Sequence, residues 1–217
     1  MKIAQILGET YKDPATLTGI EQMASDAGYV RIGQGVDARV YDRRGPGKRV
    51  VKVMPGYKGS STEDAGKGFQ VFYDFCKMNS KNKFLPKFYK TGYTKPTIER
   101  VKFVHMEKLD PVNWKRANLW SYRELVNIAT DRPDIDTFTQ LLGELRDLGD
   151  RADWSTLIQD LANPKSRPNM RLFFQTLIKL HKLSQSEQMD FDLHDQNIMQ
   201  RKNGQLVITD PFHYESD

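Results

Sequence analysis

The sequence predicts an α+β fold in which a β-rich first half is followed by a helical second half. In the first half, short β-branched and aromatic runs are separated by turns rich in glycine and proline, which is typical of antiparallel strands. In the second half, apolar residues recur at the spacing of an amphipathic helix in four segments. Near the end of the chain, an Asn-Gly pair between two short apolar runs predicts a β-hairpin.

The first half is expected to form two groups of strands around one helix. Residues 60–62 (Ser-Ser-Thr) offer N-caps for that helix, and the aromatic residues and cysteine of 69–76 recur at helical spacing after them. Strands are predicted at 29–34, 38–42, 49–54, 86–94 and 99–107.

The second half begins after an apolar connector near Lys108–Asp110. An Asp-Pro pair at 110–111 is a helix-start signal, so the first helix is expected to begin there. The hairpin strands are expected at 198–200 and 205–209, around the turn "RKNG". Helices are predicted at 110–129, 134–149, 153–162 and 168–184.

Composition limits the classes of protein that this chain can be. It has 217 residues, with 33 Lys and Arg against 28 Asp and Glu, so the net charge of +5 permits an anionic partner without requiring one. The single cysteine, Cys76, excludes an internal disulfide and favours a reducing compartment. The N-terminus does not have the pattern of a signal peptide, and no apolar run approaches the roughly 20 residues of a membrane span. We therefore expect a cytoplasmic protein.

The stretch "FDLHDQNIM" (191–199) holds the strongest candidate site. Asp192 and Asn197 lie in a loop between an apolar helix and the hairpin, and Asp210 follows the second hairpin strand. Because a hairpin returns the chain to its start, Asp210 should come back close to Asn197. A carboxylate and an amide oxygen suit Mg²⁺, and Asp192 could orient a nucleophilic hydroxyl. The alternative is that these acids only cap turns.

The first half supplies residues that suit a phosphate. The turn "IGQGVDARV" holds Gly33 and Gly35, whose small size lets backbone N–H groups approach phosphate oxygens. Lys52 lies in the strand "RVVKVM", and Glu63 or Asp64 on the next helix could hold its ammonium group. The alternatives are an ordinary hairpin turn, an outward-facing edge lysine and first-turn helix acids.

The order of these parts resembles that of the protein-kinase fold. The segment "FDLHDQNIMQRKNGQLVITDPF" (191–212) resembles the matching segment of the early protein kinases of T-seven-type podophages, the autographiviruses. "RVVKVM" and the helix after it are similar too, and the likeness spans about residues 25–212, with 111–187 matched by order alone. The resemblance implies one kinase-like domain over 1–217. Its β-rich nucleotide-binding lobe would be 1–107, and its helical lobe would be 108–217 and truncated after the metal-binding Asp.

The resemblance also implies a role for each candidate. Asp192 takes the catalytic-base position, with Lys52 on the phosphates of ATP, while Asn197 and Asp210 take the positions that hold Mg²⁺. The adenine would lie against the connector that begins near Met106. The implied nucleotide-binding positions are Gly33, Gly35, Lys52, Glu63, Asp64 and Met106.

Three departures from the kinase pattern bear on the function. Phe191 stands where protein kinases carry the arginine that receives an activating phosphate, so activation by phosphorylation is not expected. "DPF" replaces Asp-Phe-Gly, which removes the glycine hinge. His194 stands where protein kinases carry a lysine beside the transferred phosphate, and a histidine there resembles the aminoglycoside and choline phosphotransferases. It is a candidate catalytic residue, or a turn residue that hydrogen-bonds the loop.

The resemblance implies an ATP- and Mg²⁺-dependent serine/threonine protein kinase that takes part in host shutoff. Its substrates would be host proteins of transcription, translation or RNA processing, and it could phosphorylate itself. Two alternatives stay open: a kinase-like binder that inhibits a host nucleic-acid enzyme, and a small-molecule phosphotransferase. The basic run at 77–90 would suit the binder, but a solvated loop is favoured there, and neither a nucleic acid nor a membrane is expected as a partner.

Overall fold

Helices and antiparallel strands together build the chain, which confirms the predicted mixed α+β class. The computed structural model describes residues 17–34, 38–43, 47–54, 67–93, 102–115, 119–131, 135, 137–147, 158–159, 162–163, 165 and 167–213. Within these ranges, no helix is both long and apolar enough to cross a membrane.

The chain divides into two compact units with a boundary between Leu109 and Asp110. We call them the N-terminal unit and the C-terminal unit.

A five-stranded antiparallel sheet forms the N-terminal unit, with the strand order β1-β2-β3-β5-β4. The strands predicted at 29–34 and 49–54 are confirmed at both ends, and the other three shift by one to three residues at their ends. The strands are β1 (Tyr29–Gln34), β2 (Arg39–Arg43), β3 (Arg49–Met54), β4 (Phe88–Tyr93) and β5 (Lys102–Glu107).

The central strand β3 carries the core of this sheet. Val50 to Met54 are all buried, so both faces of the strand are covered. Alternate residues of a strand point to opposite faces, and the unbroken apolar run of β3 around Lys52 fits a strand covered on both sides. Helix α1 (Leu17–Asp26) contacts the edge strand β1, where Glu21 pairs with Arg31.

Helix α2 (Lys67–Met78) covers one face of the sheet. Of the apolar positions that helical spacing predicted, Phe69, Phe72 and Cys76 are buried and Tyr73 is partly buried, and Phe75 is buried as well. Burial raises the pKa of the Cys76 thiol, which makes it an unreactive packing residue. The predicted N-caps at 60–62 lie outside the described residues.

Among the described residues of the C-terminal unit, three helices have defined bounds: α3 (Trp120–Asp131), α4 (Phe138–Asp147) and α5 (Pro168–Ser186). Both α3 and α4 pack against α5, whose buried side includes Phe173, Phe174 and Leu177. Of the helix predicted at 153–162, only a few positions are described, and 158, 159 and 162 are helical.

The prediction that a helix begins at Asp110 is wrong. Asp110–Pro111 instead form a short strand, β6, opposite Gln200 and Met199. The Gln200 side chain donates a hydrogen bond to the Pro111 carbonyl at 2.9 Å. Proline has no N–H, and it is tolerated here because β6 is the edge of its small sheet. Pairing with a strand distant in sequence overrides the local helix signal.

The predicted hairpin is present as β8 (Ile198–Gln200) and β9 (Leu206–Ile208). The Arg201 N–H donates to the Gln205 carbonyl, and Gly204 in the turn has a φ of 81°. Only glycine adopts this left-handed conformation without strain, which explains the Asn-Gly pair.

Two glycine-to-alanine changes should have opposite effects on stability. Gly204→Ala should lower the free energy of unfolding by about 1–2 kcal/mol, because alanine is strained at this positive φ. Gly143→Ala should raise it by roughly 0.5–1 kcal/mol, because Gly143 lies inside α4 with open space around the added methyl group. Urea unfolding of both variants measures the two signs, and a shift of the same sign in both would contradict this account of the turn.

Candidate functional site

The loop between β7 (Asp190–Phe191) and β8 is held by apolar anchors and presents polar side chains between them. Leu193 is 3% exposed and Ile198 is 1% exposed, so both are inserted into the core. Asp192 and His194, on either side of Leu193, keep about half of their side-chain surface exposed, at 52% and 48%. The apolar flanks of "FDLHDQNIM" therefore fix the backbone, and its polar residues face solvent.

The backbone of Asp192 is held from the end of the chain. Strand β10 (Phe212–His213) pairs with β7, with Phe212 opposite Phe191. The Asp192 N–H donates to the carbonyl of the buried Pro211 at 2.9 Å. The "DPF" turn thus packs directly against the loop.

Asn197 connects the loop to the hairpin through both its side chain and its backbone. Its Nδ2 donates to the Asp192 carbonyl at 2.6 Å, and its own carbonyl accepts hydrogen bonds from the N–H and the hydroxyl of Thr209 at 2.8 and 3.1 Å. Because a carbonyl can only accept, the orientation of the Asn197 amide is determined. Thr209 precedes Asp210, so the hairpin brings Asp210 back beside Asn197, as its turn predicted.

His194 caps the 3₁₀ turn Asp195–Asn197. Its Nδ1 accepts a hydrogen bond from the Gln196 N–H at 3.2 Å. Its Nε2 lies 3.2 Å from Asn197 Nδ2, within hydrogen-bond distance, and 3.8 Å from Asp192 Oδ2, which is too long for a hydrogen bond. The ring is thus held between the turn and the Asn197 side chain. The histidine therefore fixes the loop and faces Asp192.

Helix α3 supplies two further contacts to the loop. The Thr130 hydroxyl lies within hydrogen-bond distance of two carbonyls, that of Val126 in its own helix at 3.0 Å and that of Leu193 at 3.1 Å, and Arg123 forms an ion pair with Asp195 at 3.0 Å. Neither Thr130 nor Arg123 was predicted from the sequence, because Thr130 and Leu193 are 63 positions apart and neither pair forms a local motif.

The donors at this loop suit Mg²⁺. Asn197 uses its amide nitrogen on Asp192, so its oxygen is the atom available to a cation, and the partly exposed Asp210 adds a carboxylate. Mg²⁺ binds through one or two protein oxygens and completes its shell with water and phosphate. Among the described residues, no group of three or more His, Cys, Asp or Glu side chains could hold a metal ion.

In the N-terminal unit, Lys52 lies in the centre of the sheet and not at an outward-facing edge. It pairs with Val40 and Val104 and is 8% exposed. Its Nζ lies 4.3 Å from the centroid of the Phe69 ring, which is a cation–π distance. A lysine that keeps its charge in such a place stabilises a nearby anion strongly, because little water screens it. Glu63 and Asp64, its predicted partners, lie outside the described residues.

The other nucleotide candidates are placed only in part. Gly33 lies in β1 beside a β-bulge and pairs with Val40 of β2. Gly33 therefore belongs to a strand and not to the turn itself. Gly35 lies outside the described residues. Met106 is buried opposite Val50. The loop candidates Asp192, His194, Asn197 and Asp210 come together within the C-terminal unit, whereas Gly33, Lys52 and Met106 belong to the N-terminal unit.

No protein-family model matches this chain, and a search of curated proteins finds no match.

Replacing Thr130 should loosen the loop without changing its chemistry. Thr130→Val keeps the shape of the side chain but removes the hydrogen bond to Leu193, which should cost about 1 kcal/mol of stability. Hydrogen exchange of the amides of residues 192–197 should accelerate in parallel. The matched control is Thr139→Val, at an exposed position of α4. Equal exchange in the two variants would contradict the proposed anchoring.

Proposed function

We propose that this chain is a phosphotransferase with a protein-kinase-like two-lobe fold, which uses Mg-ATP to phosphorylate serine or threonine hydroxyls of proteins. One observation carries the proposal: Asn197 donates to the Asp192 carbonyl and, through Thr209, is tied to the segment that ends in Asp210. A single hydrogen-bonded unit thus presents one exposed carboxylate beside two oxygen donors. Loops that only cap turns do not require this combination.

In this proposal, Asp192 orients the acceptor hydroxyl and takes its proton as the oxygen attacks the γ-phosphorus, while the bond from that phosphorus to the β,γ-bridging oxygen breaks and ADP leaves. Both backbone polar groups of Asp192 are hydrogen-bonded, the N–H to Pro211 and the carbonyl to Asn197. The carboxylate therefore projects from a fixed backbone and is free to meet a substrate. Positioning of this kind supplies most of the rate enhancement in phosphoryl transfer.

The remaining candidates would neutralise the negative charge of the phosphates or hold the loop. Bound Mg²⁺ would neutralise charge that develops on the phosphates during transfer. Asn197 and Asp210 would hold it, and Lys52 would neutralise phosphate oxygens from its buried position in β3. His194 keeps the loop in shape, and its Nε2 lies 3.8 Å from the Asp192 carboxylate.

The biological role rests on the resemblance of residues 191–212 to the early kinases of T-seven-type podophages. We propose that the chain acts in the cytoplasm of a bacterial host on host proteins of transcription, translation or RNA processing. The aromatic environment of Phe191 favours activity without an activating phosphate. Phe191 packs edge-on against His181 at 5.2 Å and near Phe212 at 6.5 Å, so hydrophobic contacts occupy the place of a phosphate-binding arginine.

A small-molecule acceptor is the second candidate, and His194 favours it. The imidazole uses its Nδ1 to accept the Gln196 N–H, whereas the lysine in protein kinases has only donors. Incubation of the chain with labelled Mg-ATP and either a bacterial lysate or a set of aminoglycosides and choline separates the two candidates. Label in protein supports the first candidate, and label in the small molecules supports the second.

Asp192→Asn should abolish phosphate transfer while the protein stays folded. Loss of a catalytic base commonly lowers the rate on the order of a hundredfold or more. The change is isosteric and exposed, so the unfolding midpoint should move little. The control is Asp190→Asn, a neighbouring exposed acid on β7. The assignment of the base is wrong if Asp192→Asn transfers phosphate as fast as this control.

Mg-ATP should raise the melting temperature of the protein, and Asp210→Ala should remove most of that rise. A ligand that binds only the folded state stabilises it by about 2.7 kcal/mol at a hundred times its dissociation constant. The shift is measured for each protein against its own ligand-free value, with Mg²⁺ alone and ATP alone as references. An unchanged melting temperature of the unmutated chain at millimolar Mg-ATP would count against nucleotide binding.

A further inference from the structure

A cationic segment of the N-terminal unit has no part in the proposed phosphate transfer. Between Asp74 and Glu99 the sequence contains no acidic residue. The lysines of the basic run at 77–90 are Lys77, Lys81, Lys83, Lys87 and Lys90.

Lys81, Lys83 and Lys87 lie in the connection from α2 to β4. Hydrogen bonds within this connection hold its backbone. The Asn79 N–H and side chain both donate to the Phe75 carbonyl, at 3.0 and 2.9 Å. The Asn82 side chain accepts from the Phe84 N–H at 3.0 Å. Phe84 and Leu85 are almost fully buried. Apolar anchors therefore hold the connection in place, and its three lysines, Lys81, Lys83 and Lys87, are exposed.

The end of the sheet next to this connection gathers further cations. The Glu107 N–H donates to the Lys87 carbonyl, and the Lys108 N–H donates to the Lys48 carbonyl. Arg49 lies directly opposite Glu107 in the strand register. Strand pairing thus brings Lys87 to the same end of the sheet as Lys48 and Arg49, although Lys87 is distant from both in sequence.

The acids near this end of the sheet are buried, whereas its exposed side chains are cationic. Glu107 is buried, and its carboxylate accepts a hydrogen bond from the Lys87 N–H at 2.8 Å. Asp42 is buried and paired with Lys108. Lys48, Arg49 and Lys87 are exposed, so the charges that a partner can reach here are positive.

An exposed aromatic ring lies among these cations. Tyr89 is 44% exposed, and the Arg49 guanidinium carbon lies 4.1 Å from the centroid of its ring. The preceding Phe88 instead packs into the core, edge-on against Phe69 and Tyr73. The ring of Tyr89 and the planar guanidinium form a stacked pair at the surface. We call the group Lys48, Arg49, Lys87 and Tyr89 the Tyr89 surface.

We propose that the Tyr89 surface binds single-stranded nucleic acid. Lysine and arginine side chains would contact its phosphates, and an unpaired base would stack on the Arg49–Tyr89 pair, since every base has a flat π-face. An acidic protein would need the charges but not the exposed ring, so the ring favours a partner with bases. This surface is distinct from the residues proposed for phosphate transfer, and it was not apparent from the sequence, where the lysines resembled a solvated loop.

The test measures binding of fluorescein-labelled oligouridylate and oligothymidylate of equal length by fluorescence anisotropy. Tyr89→Leu should weaken binding by about fivefold or more, the least that loss of one base stack costs. Tyr89→Trp should retain it. Lys87→Gln should lower the dependence of binding on salt by about 0.7 in log–log slope, because one phosphate contact is lost. The charge-matched control is Lys179→Gln, an exposed lysine of α5, which should leave binding unchanged.

Each outcome decides the proposal. Binding of either oligonucleotide that depends on Tyr89 supports it, and the pair of probes shows whether the partner is RNA, DNA or both. The proposal is overturned if neither oligonucleotide binds, or if Tyr89→Leu binds as well as the unmutated chain. It is also overturned if polyglutamate competes as well as the unlabelled oligonucleotides, since the partner would then be an acidic protein. Unchanged unfolding midpoints of all variants ensure that the comparison is between folded proteins.

Discussion

The hydrogen bond from the Asn197 side chain to the Asp192 carbonyl is the contact on which the candidate site depends. It closes a loop of six residues, and it requires the amide oxygen of Asn197 to point away from Asp192. The Asn197 backbone is bound in turn by Thr209, which makes the position of Asp210 a consequence of the hairpin register. Asn197, itself one of the two proposed metal ligands, therefore links the proposed base Asp192 with the other proposed ligand, Asp210. Such a link explains why an asparagine, with both a donor and an acceptor, stands here.

In the N-terminal unit, the burial of Lys52 in the central strand constrains the residues that pack around it. Removing a charged ammonium group from water costs several kcal/mol unless other groups compensate. The Phe69 ring offers partial compensation, and the same ring belongs to the apolar cluster that covers Met54 and Val104.

Local patterns predicted most of the secondary structure. The valine-rich strand β3, the aromatic spacing of α2 and the Asn-Gly turn each depend on neighbours within a few residues, so the sequence shows them directly. The prediction from the Asp-Pro pair at 110–111 was wrong because the structure there depends on residues distant in sequence. Its local preference for a helix start is outweighed by pairing with β8, some ninety residues later in the chain. The residues of α3 that hold the loop were missed because no local pattern connects them with it.

The sequence by itself determined the α+β class, the positions of most strands and helices, and the choice of Asp192, His194, Asn197 and Asp210 as candidates. It could do so because periodicity and turn chemistry act over short distances. Only the tertiary structure decided that Thr130 and Arg123 contact the loop and that Lys52 is buried against Phe69. It also brought Arg49 onto Tyr89 across an intervening strand. These contacts join residues distant in sequence, and their geometry follows from strand register and helix packing rather than from any local preference.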